Sequence, residues 1–241
     1  EYRKPGNIKV PFWLQPEKYY VGVAWYQRDI EIPPDWQGKR VVLSLERPHW
    51  ETRVWVDGKQ AGSNNSLSTP HEYDLGTALA PGKHRLTIRV DNGLVVDVGV
   101  NSHCVTDHTQ GNWNGIAGDI SLRATPSVWL EDVQVYPASS NNELRVVARI
   151  GNATGRAGAG EMSVLYNHCA TQRRRAGLPQ RLLALPVQWS ASGATVDFKC
   201  PLPGGKPNLW DEFNPALHSL VFGLSTGDAK SVAVGLREIS T

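Results

Sequence analysis

The feature that most constrains the fold is a series of short runs in which apolar and polar residues alternate. The run from His84 to Val90 (HRLTIRV) is the clearest, and a period of two is typical of a β-strand with one buried face. Turn residues separate the runs: Trp25 to Ile32 ends at two prolines, and Asp57-Gly58 follows the run from Thr52 to Val56. No segment of the first 125 residues sustains a helical period of 3.6. The sequence therefore predicts an all-β chain built from sandwiches.

The strand pattern restarts after Pro126, so we expect two domains, residues 1–125 and 126–241. Seven candidate strands follow this proline, a number typical of an immunoglobulin-like sandwich. They are Val128–Tyr136, Glu143–Ile150, Gly160–Tyr166, Arg181–Trp189, Ala194–Cys200, Leu217–Leu224 and Lys230–Arg237. The glycine-rich segment from Gly151 to Gly160 is predicted to be a hairpin loop.

A long polar stretch lies within Asp91 to Leu122, between two predicted strands. A loop of this length inside a compact domain is usually functional or disordered, and Trp113 argues for a packed loop. Amides and carboxylates beside an indole suit a polyhydroxylated ligand, because they bind hydroxyls while the ring covers C–H groups. The alternative is a structural loop whose polar groups satisfy the backbone, which is the common case.

Nine tryptophans are a high number for 241 residues. Trp25 and Trp55 lie inside strand motifs, so we expect them to pack in the core, whereas Trp50 lies in the sequence PHWET and is a candidate for a rim. Three cysteines give no metal-type spacing, and a disulfide between Cys169 and Cys200 stays open.

Charge and hydropathy argue against nucleic acids and membranes as partners of this chain. A net charge of +2 gives no basis for nucleic-acid binding, and no apolar run is long enough to span a membrane. No metal or cofactor motif is present. The chain begins at Glu1 and its single methionine is Met162, so we expect a cleaved N-terminus or a piece of a longer protein.

Five stretches of the first half resemble the N-terminal region of glycoside hydrolase family 2, the family of β-galactosidases, β-glucuronidases and β-mannosidases. They occur in the order typical of that family: VGVAWYQRDIEIP (21–33), VWVDGKQAG (54–62), STPHEYDL (68–75), PGKHRLTIRVDN (81–92) and NWNGIAGDISL (112–122). In the second half, LWDEFNPALHSL (209–220) and VGLR (234–237) are similar to the family's "L-W-x-P-x-x-P-x-L-Y-x-L" segment and "F-G-x-R" strand.

The resemblance implies a galactose-binding-like jelly-roll sandwich followed by an immunoglobulin-like sandwich. Two substitutions depart from the family pattern: Gly118 replaces the arginine of "G-I-x-R", and Asp57 replaces an asparagine in the hairpin. The family's two catalytic glutamates lie in a (β/α)₈ barrel that follows these domains, and no residue of this sequence matches either motif. We therefore assign no catalytic residue and no metal site.

The family also implies that a side chain from the polar loop contacts the sugar. Asp107 is the first candidate for a sugar-hydroxyl acceptor, although the usual acidic position falls at Thr109. The further substrate-binding candidates are Asn101, Gln110, Asn112 and Trp113. For Trp113, packing at the end of the sandwich is the alternative to stacking on a sugar. His103 and His108 are more typical of structural hydrogen bonding than of acid–base chemistry.

Two functions compete at this stage, and a third, a structural β-sandwich protein with no ligand, is disfavoured by the long polar loop. The first is the non-catalytic front part of a family 2 glycoside hydrolase, whose partners are a carbohydrate and the catalytic barrel of the same parent chain. In that case the parent is a glycosidase that needs no cofactor, and this chain alone is inactive. The alternative is a stand-alone carbohydrate-binding or adhesion module. The polysaccharide substrates usual for the family imply an extracellular or periplasmic location.

Overall fold

The computed structural model describes residues 20–99, 101–103, 105, 113–138, 143–170, 179–204 and 208–237. Within these ranges every regular element is a β-strand except one short 3-10 helix, Pro34–Trp36. The predicted all-β fold is therefore confirmed. The described residues contain no helix long and apolar enough to cross a membrane. The chain divides into two compact units, Glu1–Ala124 and Thr125–Thr241.

The first unit is a sandwich of two antiparallel sheets. A four-stranded sheet has the order β1-β6-β3-β4, and a three-stranded sheet has the order β5-β2-β7. The strands are β1 (Val23–Ile32), β2 (Arg40–His49), β3 (Glu51–Val56), β4 (Lys59–Asn64), β5 (His71–Gly76), β6 (Gly82–Asp91) and β7 (Gly115–Thr125).

The second unit also pairs two antiparallel sheets, with the orders β11-β10-β13-β14 and β12-β9-β8. Its strands are β8 (Val128–Ala138), β9 (Glu143–Asn152), β10 (Gly158–Ala170), β11 (Gln180–Trp189), β12 (Ala194–Pro201), β13 (Leu217–Leu224) and β14 (Ala229–Gly235). All seven strands predicted for this half are present.

Alternation along the strands builds the core of the first unit. In β6 the apolar residues Leu86, Ile88 and Val90 are buried, while the residues between them point to the outer face. They pack against Leu43 and Leu45 of β2, across the space between the two sheets. A sheet with one buried face produces this pattern, because successive side chains point to opposite faces.

The predicted tight turn at Asp57-Gly58 is confirmed, and it joins β3 to β4. Asp57 has φ +51° and Gly58 has φ +80°, the positive values that a two-residue type I′ hairpin needs. The Asp57 carboxylate accepts hydrogen bonds from the Arg85 backbone N–H at 2.7 Å and from His84 Nδ1 at 2.6 Å. The pKa of His84 is raised, first by this bond to Asp57 and then by the bond from its Nε2 to the Ala80 carbonyl.

A histidine is fully buried in the first unit. His71 Nε2 donates to the Ser66 carbonyl at 2.7 Å, and Nδ1 lies 2.7 Å from the Thr52 hydroxyl. The Tyr73 hydroxyl is hydrogen-bonded to the same Thr52 oxygen. Burial lowers the pKa of His71, so the ring is neutral, and Nδ1 accepts the proton of Thr52 while Tyr73 donates to Thr52. The four groups form one satisfied chain of hydrogen bonds.

One sequence prediction about the second unit is wrong, and the disulfide that the sequence left open is decided. The segment from Gly151 to Gly160 is not a hairpin loop, because β9 and β10 belong to different sheets and this segment crosses between them. Asn152 stabilises the crossing: its amide donates to the Arg156 and Ser190 carbonyls at 2.8 Å. Cys200 is a free buried thiol, so the disulfide to Cys169 is not formed. Burial raises the pKa of Cys200 to about 11.

The exposure of two tryptophans in the first unit is the opposite of what the sequence predicted. Trp25 is 61% exposed and therefore lies outside the core. Trp50, the candidate for a rim, is only 5% exposed, and its Nε1 donates to the Asn65 carbonyl at 2.7 Å. Trp55 is partly buried and contacts Trp25. Strand alternation shows which residues share a face, but both faces of β1 carry aromatic residues, so the pattern did not show which face is inside.

Candidate functional site

The polar loop, residues 93–114, leaves β6 and returns to β7. Its two ends meet where Asn92 contacts Asn114, and we call this point the neck. Asn92 Nδ2 donates to Asn114 Oδ1 at 2.5 Å and so joins the two ends of the loop. The same amide donates to the Tyr20 carbonyl at 2.6 Å, and its Oδ1 accepts the Gly22 N–H at 2.7 Å. One side chain therefore fixes both ends of the loop to the segment that precedes β1.

An ion-pair network lies directly below the neck. Arg89 donates to Glu51 at 2.9 Å and to Asp91 at 2.6 Å. The other oxygen of Asp91 accepts the Gly93 N–H at 3.0 Å, and its backbone carbonyl accepts the Trp50 N–H at 3.0 Å. Since Arg89 is only 19% exposed, these charge-assisted bonds are shielded from solvent and position the first residues of the loop.

The other end of the loop is anchored by Trp113. Its Nε1 donates to the Arg47 carbonyl at 3.0 Å, and its ring meets that of His49 at a centroid distance of 5.4 Å and an angle of 52°. His49 is buried and stacks on Trp50 at 5.9 Å. Trp113 is still 36% exposed. Because its N–H is already used, Trp113 can contact a ligand only through its ring.

Gly118 shows how the chain accommodates the loss of the arginine typical of the family at this position. Its φ is +80°, and a Cβ there would overlap the Glu46 carboxylate and lie 3.1 Å from Arg47 Nη2. Glu46 accepts the Asp119 backbone N–H at 2.7 Å and pairs with Arg47 at 3.2 Å. The ion pair from β2 therefore occupies the space next to the backbone at position 118.

The structure places two of the five predicted substrate-binding residues. Trp113 lies at the neck, and Asn101 is exposed in a turn within the loop. Asp107, Gln110 and Asn112 lie outside the described residues, as does His108, so their roles stay predictions. Among the described residues of the loop, no hydrogen bond or ring contact links Asn101 to Trp113.

Sequence reasoning missed most of the residues that hold the neck. Asn92 was known only as the end of a family motif, and His49 and Arg47 were not considered as partners of Trp113. The strand-like run KRVVLSLE ends at Glu46 in the sequence, but β2 continues three residues further, to His49, and so reaches the start of β7. Asn114 is separated from Asn92 by the whole loop, and nothing in the sequence pairs the two residues.

In the second unit, the two family-like motifs near its end are in contact. The backbone N–H of Trp210 donates to the Leu236 carbonyl at 3.1 Å, and the Arg237 guanidinium lies 5.2 Å from the centre of the Trp210 ring. Gly235 makes this approach possible, because a Cβ there would lie 3.0 Å from Trp210. In the turn that follows, Asp211 accepts the Phe213 and Asn214 N–H groups and leaves Phe213 92% exposed.

The chemistry of the neck is that of recognition. Its carboxylates, Glu46, Glu51 and Asp91, are each paired with an arginine, which favours positioning over proton transfer. Its amides and its partly exposed indole are groups that bind hydroxyls and C–H faces. The described residues contain no group of three or more His, Cys, Asp or Glu side chains that would hold a metal ion.

Comparison with known proteins identifies the family of the chain. The model of "Glycosyl hydrolases family 2, sugar binding domain" matches residues 2–126. The β-galactosidase of Priestia megaterium is 24% identical across 98% of this chain, which covers 23% of that protein. The β-glucuronidase of Chlorocebus aethiops is 25% identical across 92% of this chain and 37% of its own length. The chain thus spans well under half the length of these relatives.

Among solved structures, a GH2 β-galacturonidase from Eisenbergiella tayi bound to galacturonate superposes with a TM-score of 0.71. It is 21% identical, and the match covers 95% of this chain and 38% of that one. At this identity the similarity shows the fold. The family model covers more than half of the chain, and we conclude that the protein belongs to glycosyl hydrolase family 2 and carries the family's sugar binding domain in its first unit.

Proposed function

We propose that this chain forms the non-catalytic front part of a family 2 glycosidase that hydrolyses O-glycosyl bonds. In this proposal the polar loop forms one wall of the sugar pocket. The second unit supports a catalytic barrel in the same parent chain. Asp107 acts as an acceptor for a sugar hydroxyl, with Asn101, Gln110, Asn112 and Trp113 as further contacts.

The observation that carries the proposal is the closed neck. The bond between Asn92 and Asn114 and the anchoring of Trp113 on His49 hold both ends of a long polar loop in place. Holding the ends of a loop in place lowers the conformational entropy that is lost on binding, which favours ligand recognition. The loop also begins with exposed apolar residues, namely Leu94, Val95, Val96 and Val98, which suit contact with a further domain.

A role without catalysis is supported by the requirements of the reaction. Retaining glycoside hydrolysis uses two carboxylates about 5 Å apart, one as nucleophile and one as acid/base. The acidic residues at the neck instead form ion pairs with arginines. The relatives that carry the names β-galactosidase and β-glucuronidase are several times longer than this chain.

The direct test is turnover of nitrophenyl β-galactoside, β-glucuronide and β-mannoside. The 241-residue chain should show none, whereas the longer parent protein should hydrolyse at least one of them. Asp107→Ala and Trp113→Ala in the parent should raise KM or lower kcat/KM. Turnover by the chain alone contradicts the proposal.

A stand-alone carbohydrate-binding module is the second candidate, and it is favoured by the separate buried core of each unit. Calorimetric titration of the chain with galactose, glucuronic acid, mannose and short oligosaccharides distinguishes the two. Binding at millimolar or lower concentration that Asp107→Ala and Trp113→Ala abolish would favour the module. Absence of binding is expected if the loop is one wall of a pocket completed by the barrel.

We further propose an extracellular or periplasmic location. Polysaccharide substrates do not cross membranes, so an enzyme that cleaves them acts outside the cytoplasm. Fractionation of cells that express the parent protein tests this, and recovery with the cytoplasmic fraction would argue against it.

A further inference from the structure

Two tryptophans form an exposed aromatic surface on the outer face of the four-stranded sheet. The rings of Trp25 and Trp55 lie 5.5 Å apart between centroids, with an angle of 33° between their planes. Trp25 is 61% exposed, an unusual state for the largest apolar side chain. We call this surface the tryptophan platform.

The sheet itself brings the two rings together. Trp25 lies on β1 and Trp55 on β3, and β6 runs between these two strands. Trp55 is directly opposite Thr87 of β6, and Thr87 is also opposite Gln27 of β1. Trp25 is opposite Arg89, two residues further along β6, so the two indoles approach each other diagonally across the central strand.

Hydrogen-bonding side chains border the platform in fixed positions. Gln27 Nε2 donates to the Thr87 hydroxyl at 3.0 Å, and Gln27 Oε1 accepts from Arg85 Nη1 at 3.1 Å. Arg85 is also paired with Asp29. Planar amide and guanidinium groups beside an indole match the alternating hydroxyl and C–H groups of a pyranose ring.

The charges on this face balance. Its three arginines are each paired with a carboxylate: Arg53 with Glu51, Arg85 with Asp29, and Arg89 with Glu51 and Asp91. Three positive groups face three negative groups, so the surface has no net attraction for a polyanion. A neutral ligand with many hydroxyls fits it better than a polyuronate, a nucleic acid or an anionic membrane.

We propose that the tryptophan platform binds a neutral polysaccharide chain, through side chains that the polar loop does not supply. The indole faces stack on the C–H faces of successive sugar rings, while Gln27 and Arg85 bond to their hydroxyls. Such a surface holds the protein on a polymeric substrate without taking part in hydrolysis. It does not depend on the role of the loop.

Affinity electrophoresis of the chain in gels that contain mixed-linkage β-glucan, xyloglucan or β-galactan tests this, with polygalacturonate as the anionic comparison. We expect at least one neutral polymer to retard the chain, and polygalacturonate to retard it less. Trp25→Ala should weaken that binding by about tenfold, since a whole stacking contact is lost, and Trp25→Phe by less. Gln27→Ala should weaken it by a smaller factor.

The matched control is Tyr136→Ala, which removes an aromatic side chain that is 47% exposed on the second unit. It should bind as the unchanged chain does. Binding that Trp113→Ala weakens and Trp25→Ala does not would belong to the polar loop and would overturn the proposal. No retardation by any neutral polymer, or retardation that Trp25→Ala leaves unchanged, overturns the proposal. Self-association that Trp25→Ala abolishes in light scattering would instead identify the platform as an interface between copies.

Discussion

The first unit exposes aromatic residues that the second unit would bury. Trp25, Tyr26 and Trp113 are at least one-third exposed, whereas Tyr166, Trp189 and Phe222 of the second unit lie in its core. The exposed rings of the first unit are bordered by paired charges and amides, and the exceptions in the second unit are Tyr136 and Phe213. This difference is what we expect if the first unit binds a ligand and the second supports another domain, as proposed above.

The two units nevertheless bury a polar histidine ring in the same way. Each buries a histidine whose Nε2 bonds to a backbone carbonyl, Ser66 for His71 and Asn208 for His218. The Nδ1 atom bonds to a hydroxyl, that of Thr52 in the first unit and that of Tyr166 in the second. Satisfied polar groups of this kind are compatible with a core, so the contrast between the units lies on their surfaces.

The largest effect should come from the core of the second unit. Phe222→Ala should lower the free energy of unfolding by about 3–5 kcal/mol, because Phe222 is completely buried and truncation leaves a cavity. Phe213→Ala, which changes a side chain that is 92% exposed, should change it by less than about 0.5 kcal/mol. Urea denaturation measures both. Similar losses in the two variants would contradict the assignment of this unit as a support with a closed core.

The next largest loss of stability should come from a substitution at the neck of the polar loop. Asn92→Ala removes the bonds to Gly22, Tyr20 and Asn114 and should lower the free energy of unfolding by about 1–3 kcal/mol. Hydrogen exchange of the Gly22 amide should become faster, since that amide loses its acceptor. Asn101→Ala is the control and should leave this exchange unchanged. If Asn92→Ala leaves it unchanged as well, the neck is not held by this amide.

Gly118 allows a paired test of the Glu46 contact. Gly118→Ala and Gly38→Ala both place a side chain at positive φ, which costs about 1 kcal/mol. Only Gly118→Ala displaces Glu46 and its bond to the Asp119 N–H, and this should add about 1 kcal/mol. Position 38 has open space around it. Equal losses of stability in thermal unfolding would show that Glu46 moves away without cost.

The smallest expected effect is a change in the free energy of unfolding of the first unit with pH, near neutrality. Burial lowers the pKa of His71, so the stability from its neutral form is complete above about pH 6.5 and is lost as the pH falls below that value. The raised pKa of His84 acts in the opposite direction, and its contribution is lost as the pH rises above about 6.5.

His84→Gln removes the opposing group and should make the net loss of stability between pH 8 and pH 5 larger. Urea midpoints of this variant between pH 8 and pH 5, followed by tryptophan fluorescence, measure the effect. A midpoint that does not fall on acidification would mean that protonation of His71 is not linked to unfolding.

The sequence predicted the strands and the hairpin turn well, because alternation and turn chemistry act over a few residues. Asp57-Gly58 needed only its own backbone preferences to form its turn. The crossing between β9 and β10 was mistaken for a hairpin, since glycine-rich loops connect strands in both situations. At the candidate site, Trp113 was identified from its loop, whereas Asn92, Arg47 and His49 were not, because their contacts join residues far apart in the chain.

The sequence by itself determined that this chain is all-β and similar to family 2 glycoside hydrolases, since strand period and motif order are local properties. The tertiary structure alone decided which face of each strand is inside. Both faces of β1 carry aromatic residues, and only the packing of the opposite sheet left Trp25 outside while Trp50 was buried. It also decided that Glu46 lies next to Gly118, because that contact depends on neighbouring strands being brought side by side.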